Sequence, residues 1–123
     1  MNNINTFVEI KTQFQALHNW PECNIKEVSY LKNIHRHLIY VNVKIQTYKD
    51  RGIEFFQLKE NVDKIIEDLY SNNRTKLLGR KSMEEIAKDI LKKLLIIYKE
   101  TKYIIKVSED NQVAGVIEYE YKR

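Results

Sequence analysis

Apolar and polar residues alternate in two long stretches in the first part of the chain. In residues 6–18 the alternate positions on one face are Val8, Ile10, Thr12, Phe14, Ala16 and His18. In residues 35–48 the corresponding positions are His35, His37, Ile39, Val41, Val43 and Ile45. Because successive side chains of a strand point to opposite faces, this period predicts two strands, each with one apolar face. A long connection, residues 19–34, joins them and carries the one proline of the chain.

The middle of the chain has helical spacing instead. From about Phe56 to Ser71 apolar residues recur every three or four positions, which predicts an amphipathic helix. Ser82 and Glu85 form a capping box, a pattern in which each side chain accepts a backbone N–H of the other residue. This box predicts a second helix that continues to about Lys99.

Alternation returns in the last part of the chain. Residues 103–109 and residues 116–121 read as two further strands, joined by a turn that includes Asp110-Asn111-Gln112. The order is therefore strand, strand, helix, helix, strand, strand. This order predicts one α+β domain over residues 1–123, a two-layer sandwich in which two helices cover one face of an antiparallel sheet.

The three histidines of the chain all fall on the apolar faces of the first two strands. His18 ends the first strand, while His35 and His37 begin the second. If these strands pair in antiparallel fashion, the three rings meet at one end of the sheet. Catalytic zinc sites use three protein ligands and an open position, and neutral imidazole is a common ligand. Taken singly, each of these residues could be a half-buried histidine that is hydrogen-bonded to a carbonyl. The three histidines share one face and one end of the strands, however, and this favours a metal site.

Glu109 is a carboxylate on an otherwise apolar strand face. It ends the strand that contains Tyr103, Ile105 and Val107. Because burying an unpaired carboxylate is costly, we expect Glu109 to lie near solvent or to face a polar partner.

Composition excludes several classes of protein. With 123 residues, 43% hydrophobic and 31% charged, the chain has the composition of an ordinary globular domain. The net charge of +4 comes from lysines interleaved with acids, without a basic arm, so nucleic acid is not an expected partner. Cys23 has no second cysteine to pair with, and no segment approaches the roughly 20 apolar residues of a membrane span. Without a signal peptide pattern at its start, the protein is expected to be cytoplasmic.

The order of strands and helices, together with His18 in Phe14-Gln15-Ala16-Leu17-His18 and His35-Arg36-His37, resembles the 6-pyruvoyl-tetrahydropterin synthase and 6-carboxytetrahydropterin synthase family. The resemblance covers about residues 7–119. It implies the tunnelling fold, or T-fold, in which subunits join their sheets into a barrel within trimers or hexamers. It also implies a zinc ion on His18, His35 and His37, in a site between subunits.

Other segments are similar to family motifs. The family's Gly-x-x-Asp-Phe-x-x-Leu-Lys corresponds to residues 52–59, and its Pro-Thr-x-Glu helix start corresponds to residues 81–84. The resemblance further implies that Glu109 is the residue that anchors the heterocycle, by accepting hydrogen bonds from its amino and ring N–H groups.

Several positions depart from the family pattern. Arg36 replaces a glycine between the two histidines, and Leu31 stands where the family has a catalytic cysteine. In the family's Asp-His pair the aspartate is kept as Asp68, while Leu69 replaces the proton-transferring histidine. Because leucine cannot transfer a proton, the proton-transfer groups are missing or have moved. Cys23 and Asp68 are the catalytic candidates that remain, with Glu27 as a further base in the long connection.

These observations lead to one main hypothesis and two alternatives. The main hypothesis is a zinc-binding protein of the tetrahydropterin synthase type with a pocket for a pterin or purine-like heterocycle. If active, it would be a carbon-oxygen lyase of pterin or queuosine-precursor biosynthesis. The first alternative is a catalytically silent protein that sequesters or senses such a metabolite. The second is a metal-free T-fold scaffold.

Overall fold

The computed structural model describes residues 4–71, 73–99 and 101–122. In chain order it contains β1 (Thr6–His18), a 3-10 helix (Lys26–Lys32), β2 (His35–Thr47), α1 (Phe55–Tyr70), β3 (Thr75–Gly79), α2 (Met83–Ile97), β4 (Lys102–Glu109) and β5 (Val113–Glu120). The six elements that the sequence predicted are therefore present. Their bounds agree within about three residues, and the α+β class is confirmed.

The strands form one sheet in the order β3-β1-β2-β4-β5. All neighbouring pairs are antiparallel except β1 and β3, which pair in parallel from Gln15↔Thr75 to His18↔Gly79. The four predicted strands form the expected antiparallel arrangement, and β3 is a further strand that was not predicted and that makes the sheet mixed. This strand is only five residues long and contributes just two buried residues, one of them Lys76, so it carries no recognisable apolar alternation.

Both helices begin at residues whose side chains accept their first free N–H groups. At α1, the carboxylate of Glu54 accepts from Phe56 N and Gln57 N, each at 3.0 Å. At α2 the predicted capping box is confirmed, with Glu85 N donating to Ser82 Oγ at 3.1 Å and Ser82 N donating to Glu85 Oε1 at 3.3 Å. These caps satisfy donors that have no partner within the helix.

The core lies between the helices and the apolar face of the sheet. In β2 the predicted apolar face is buried from Ile39 through Ile45, and buried residues of α1 and α2 belong to the same cluster, including Leu58, Val62, Ile86, Ile90 and Leu94. The histidines lie on this same face, beyond the end of the apolar rows. No helix within the described residues is long and apolar enough to cross a membrane.

A tight turn joins β4 to β5. Asp110 and Asn111 both have positive φ, 52° and 57°, and Gln112 N donates to Glu109 O at 3.0 Å. Two successive positive φ values are typical of a type I′ turn, which favours Asn and Asp. The turn lies beside the first residues of β2, because Asp110 N donates to Leu38 O at 2.7 Å.

Candidate metal centre

The pairing of β1 with β2 brings the three histidines together. His18 is opposite His35, and Ala16 is opposite His37, in an antiparallel register. The expected convergence at one end of the sheet is confirmed, since each histidine offers a ring nitrogen within 4.8 Å of those of the others. His18 is 8% exposed, whereas His35 and His37 are partly exposed. The group is thus open to solvent on one side.

The orientation of two of the rings is fixed by acceptors at their outer nitrogens. His35 Nδ1 lies 2.7 Å from the backbone oxygen of Asn33, and His37 Nδ1 lies 2.5 Å from Asp110 Oδ2. Because both partners are acceptors, these contacts assign a proton to each Nδ1, and a neutral ring would then have its lone pair on Nε2. His35 Nε2 then lies 3.1 Å from His18 Nε2. This is the tautomer that leaves Nε2 free to bind a metal.

Glu109 lies beside the same nitrogens. Its Oε1 is 3.1 Å from His18 Nε2, and its Oε2 is 3.6 Å from His37 Nε2. The hydrogen bond from His18 lowers the pKa of this carboxyl, although partial burial acts in the opposite direction. The polar partner expected for Glu109 is therefore the histidine group itself.

The atoms that meet at this point are mostly acceptors. His35 Nε2 and His37 Nε2 present lone pairs, and Glu109 presents two carboxylate oxygens. Within the group only His18 Nε2 can carry a proton while the rings are neutral, and one proton cannot satisfy all of these acceptors. A cation at this point would satisfy them together, and three imidazoles with a carboxylate are ligands that zinc accepts. The residues present therefore fit a divalent transition metal.

Asp110 completes the group from outside and was missed by the sequence analysis. Its Oδ1 accepts the backbone N–H of Leu38 at 3.0 Å, while its Oδ2 faces His37. The Leu38 N–H and then the His37 ring lower the pKa of this carboxyl. A carboxylate behind a ligating histidine fixes the ring and raises its basicity. The signal in the sequence was the Asp-Asn pair between two strands, which predicts the turn that carries this side chain.

The other predicted site residues lie in different surroundings. Cys23 is buried in the long connection, with its thiol near the carbonyl oxygens of Ile25 and Val28 at 3.9 Å and 3.7 Å. Asp68 is exposed on α1. In the described part of the chain, no hydrogen bond or ion pair joins either residue to the histidines. Their catalytic roles stay predictions without a contact to support them.

The sequence matches no protein-family model, and no curated protein is matched by its sequence. Solved structures resemble the fold over nearly its whole length. A Plasmodium falciparum 6-pyruvoyl tetrahydropterin synthase has a TM-score of 0.70 at 19% identity, covering 96% of this chain and 99% of that one. A Plasmodium vivax 6-pyruvoyltetrahydropterin synthase carrying a substituted catalytic glutamate has a TM-score of 0.69 at 17% identity, with 96% and 99% covered. The Caenorhabditis elegans 6-pyruvoyl tetrahydropterin synthase has a TM-score of 0.65 at 14% identity, with 97% of each chain covered. The chain therefore has the T-fold of the 6-pyruvoyl tetrahydropterin synthases, as its resemblance to that family predicted.

Proposed function

We propose that this protein binds a zinc ion through His18, His35 and His37 and holds a pterin or purine-like heterocycle next to it. The observation that carries the metal proposal is the convergence of three Nε2 atoms and two carboxylate oxygens, most of which are acceptors when the rings are neutral. A hydrogen-bonded group without metal would leave several of these acceptors facing each other, which is unfavourable in a partly buried site.

Zinc is the metal proposed because of the donor set. Neutral imidazole suits zinc, and oxygen-rich sites are instead typical of magnesium and calcium. When bound, zinc supplies Lewis acidity toward a substrate oxygen. The chain's own contribution is orientation: Asn33 O and Asp110 hold two rings with their Nε2 atoms directed toward His18 and Glu109.

The proposed role is binding of the heterocycle, with turnover as an outcome to be tested. Leu31 and Leu69 supply no proton-transfer group, and the Cys23 thiol is near loop carbonyls. The heterocycle itself is proposed from the fold, because the structural neighbours are named as 6-pyruvoyl tetrahydropterin synthases. Active turnover would make the protein a carbon-oxygen lyase of that type.

The assembly proposed is a trimer or a dimer of trimers. β5 lies at one edge of the sheet. At the other edge β3 pairs with β1 only from Gln15 to His18, so the outer edge of β1 is unpaired over residues 6–14. Open edges present unpaired backbone groups that pair readily with another chain. Continuation of the sheet between subunits would pair the strands at both of these edges.

The test is the metal content of protein purified without chelator. We expect close to one zinc per chain by elemental mass spectrometry, and we expect His35→Ala to lose it. Gln13→Ala is the matched control, because Gln13 is exposed on the opposite face of β1. Native mass spectrometry of the same sample would report a bound heterocycle and the number of subunits.

Wild-type protein that is purified without metal and does not bind zinc added at micromolar concentration would refute the metal proposal. In that event the protein is metal-free, either as a scaffold or as a silent binder of the heterocycle. Calorimetry with pterins and guanine derivatives tests the heterocycle separately.

A further inference from the structure

We infer that Glu109 is a fourth protein ligand of the metal, so that the chain itself fills the position that a three-histidine site leaves open. This inference rests on the proposed metal site. It differs from the role that the family resemblance implies for Glu109, which is to anchor a heterocycle.

The distances lie close to those between ligand atoms on one tetrahedral ion, although two of the three are about 0.2 Å shorter. With metal–ligand bonds of about 2.0 to 2.2 Å, two ligand atoms of a tetrahedral zinc lie roughly 3.3 to 3.6 Å apart. His18 Nε2 to His35 Nε2 is 3.1 Å, His18 Nε2 to Glu109 Oε1 is 3.1 Å, and His37 Nε2 to Glu109 Oε2 is 3.6 Å. Each carboxylate oxygen is thus about as close to one histidine nitrogen, Oε1 to His18 and Oε2 to His37, as two ligand atoms would be on a shared metal.

The backbone holds Glu109 at this place. In the sheet Glu109 is opposite Ile39, two residues along β2 from His37 and on the same face. The next residue, Asp110, is bonded in both directions to Leu38, by its N–H and by its carboxylate. Glu109 O also accepts the N–H of Gln112, which closes the turn. These bonds hold the backbone of Glu109 in place, so its side chain projects toward the histidines from a fixed Cα position.

The charge of a divalent ion gives a separate reason for a carboxylate ligand. Three neutral imidazoles leave a divalent ion with its full charge of two, whereas one carboxylate halves it. Glu109 is the carboxylate that faces the Nε2 side of the rings, while Asp110 faces an Nδ1 on the outer side. The two acids thus have different positions relative to the ion, one as a ligand and the other behind a ligand.

A filled fourth position changes what the site can do. Four protein ligands are typical of structural zinc sites, whereas catalytic sites keep a position for water or substrate. A substrate oxygen could reach the metal only after Glu109 moved away. Because the fourth position is filled and Leu31 and Leu69 cannot transfer protons, we infer that the metal holds the strand ends in position.

The first test measures zinc affinity by competition with a chromogenic chelator. We expect Glu109→Gln to weaken binding by at least about tenfold, since even partners behind a ligand cost 10- to 100-fold. Glu118→Gln is the matched control, because Glu118 is an exposed carboxylate on β5 away from the histidines. An affinity in Glu109→Gln equal to that of wild type would overturn the inference.

The second test uses wild-type protein, so it does not depend on the variant folding. With Co²⁺ in place of zinc, we expect the visible spectrum of a four-coordinate ion that azide does not change. In Glu109→Gln we expect azide to change the spectrum, because a position has opened. Azide binding to wild-type Co²⁺ protein would overturn the inference while leaving the three-histidine site intact. Failure of wild-type protein to bind zinc or Co²⁺ would instead overturn the proposed metal site on which the inference rests.

Discussion

Replacing Asp110 tests whether the group is built to hold a metal. Its carboxylate accepts from His37 Nδ1 at 2.5 Å and from Leu38 N at 3.0 Å. Asp110→Asn keeps the size of the side chain and a residue type that tolerates positive φ. One amide oxygen can still accept a hydrogen bond, but the negative charge behind His37 is lost. Zinc affinity should fall because the ring becomes a weaker and less constrained ligand.

The size of the effect follows from the exposure of the pair. Loss of a carboxylate behind a ligating histidine costs about 10- to 100-fold in metal affinity. The Asp110 side chain is 43% exposed and that of His37 is 24% exposed. Because solvent screens exposed charges, we expect about tenfold, the lower end of that range. Asp110→Ala should cost more, because it removes both acceptor oxygens.

Competition with a chelator measures the affinity, and thermal unfolding of metal-free protein measures the effect on the turn. Asn111→Ala is the control: it introduces alanine at a φ of 57°, close to the 52° of Asp110, but Asn111 has no bond to the histidines. Asn111→Ala should lower stability and leave zinc affinity unchanged. If Asp110→Asn binds zinc as tightly as wild type, Asp110 is only a turn residue, and the argument from ring orientation is refuted.

Three further predictions concern activity, pH and assembly. Turnover of dihydroneopterin triphosphate should be absent or at least ~10²-fold below that of an active synthase, because Leu31 and Leu69 cannot transfer protons; strong turnover that disappears in Cys23→Ser would contradict this. Burial, followed by the nearby charge of Asp89, raises the pKa of the Tyr70 hydroxyl. The folded state therefore keeps its full free energy of unfolding below the ordinary tyrosine pKa of about 10, and this free energy falls as pH rises above it, because the unfolded chain ionises first. Chemical unfolding should show a decline in stability above that pH that is smaller in Tyr70→Phe. Light scattering should show a trimer or hexamer, and a monomer at all concentrations would count against a sheet continued between subunits.

Much of the candidate site could be predicted from alternation alone. The register of an antiparallel pair follows from which residues are buried, and the apolar rows of β1 and β2 end at His18 and His35. Burial of Ile39 and its neighbours therefore determined which face the histidines occupy. The capping box at Ser82 likewise marked the start of α2, because it depends only on two residues three positions apart.

Contacts between distant segments could not be predicted in the same way. Asp110 was visible as a turn residue, but its contact with His37 depends on where the β4–β5 turn lies relative to β2. β3 was missed because Lys76, one of its two buried residues, is polar; its ammonium donates to Asn73 O at 2.8 Å. In both cases a polar side chain is explained by a partner that only the folded chain brings near.

The pairing of β1 with β2 extends over all thirteen residues of β1. A slip of one residue would place His18 on the face opposite His35, and the metal site would not exist. Metal binding is therefore possible only when the two strands are correctly aligned. At a free metal concentration of roughly 100 times Kd, binding would add about 2.7 kcal/mol to the aligned sheet and nothing to a slipped one. A bound zinc ion would thus select the native strand alignment during folding, whether or not the protein has any chemistry to perform.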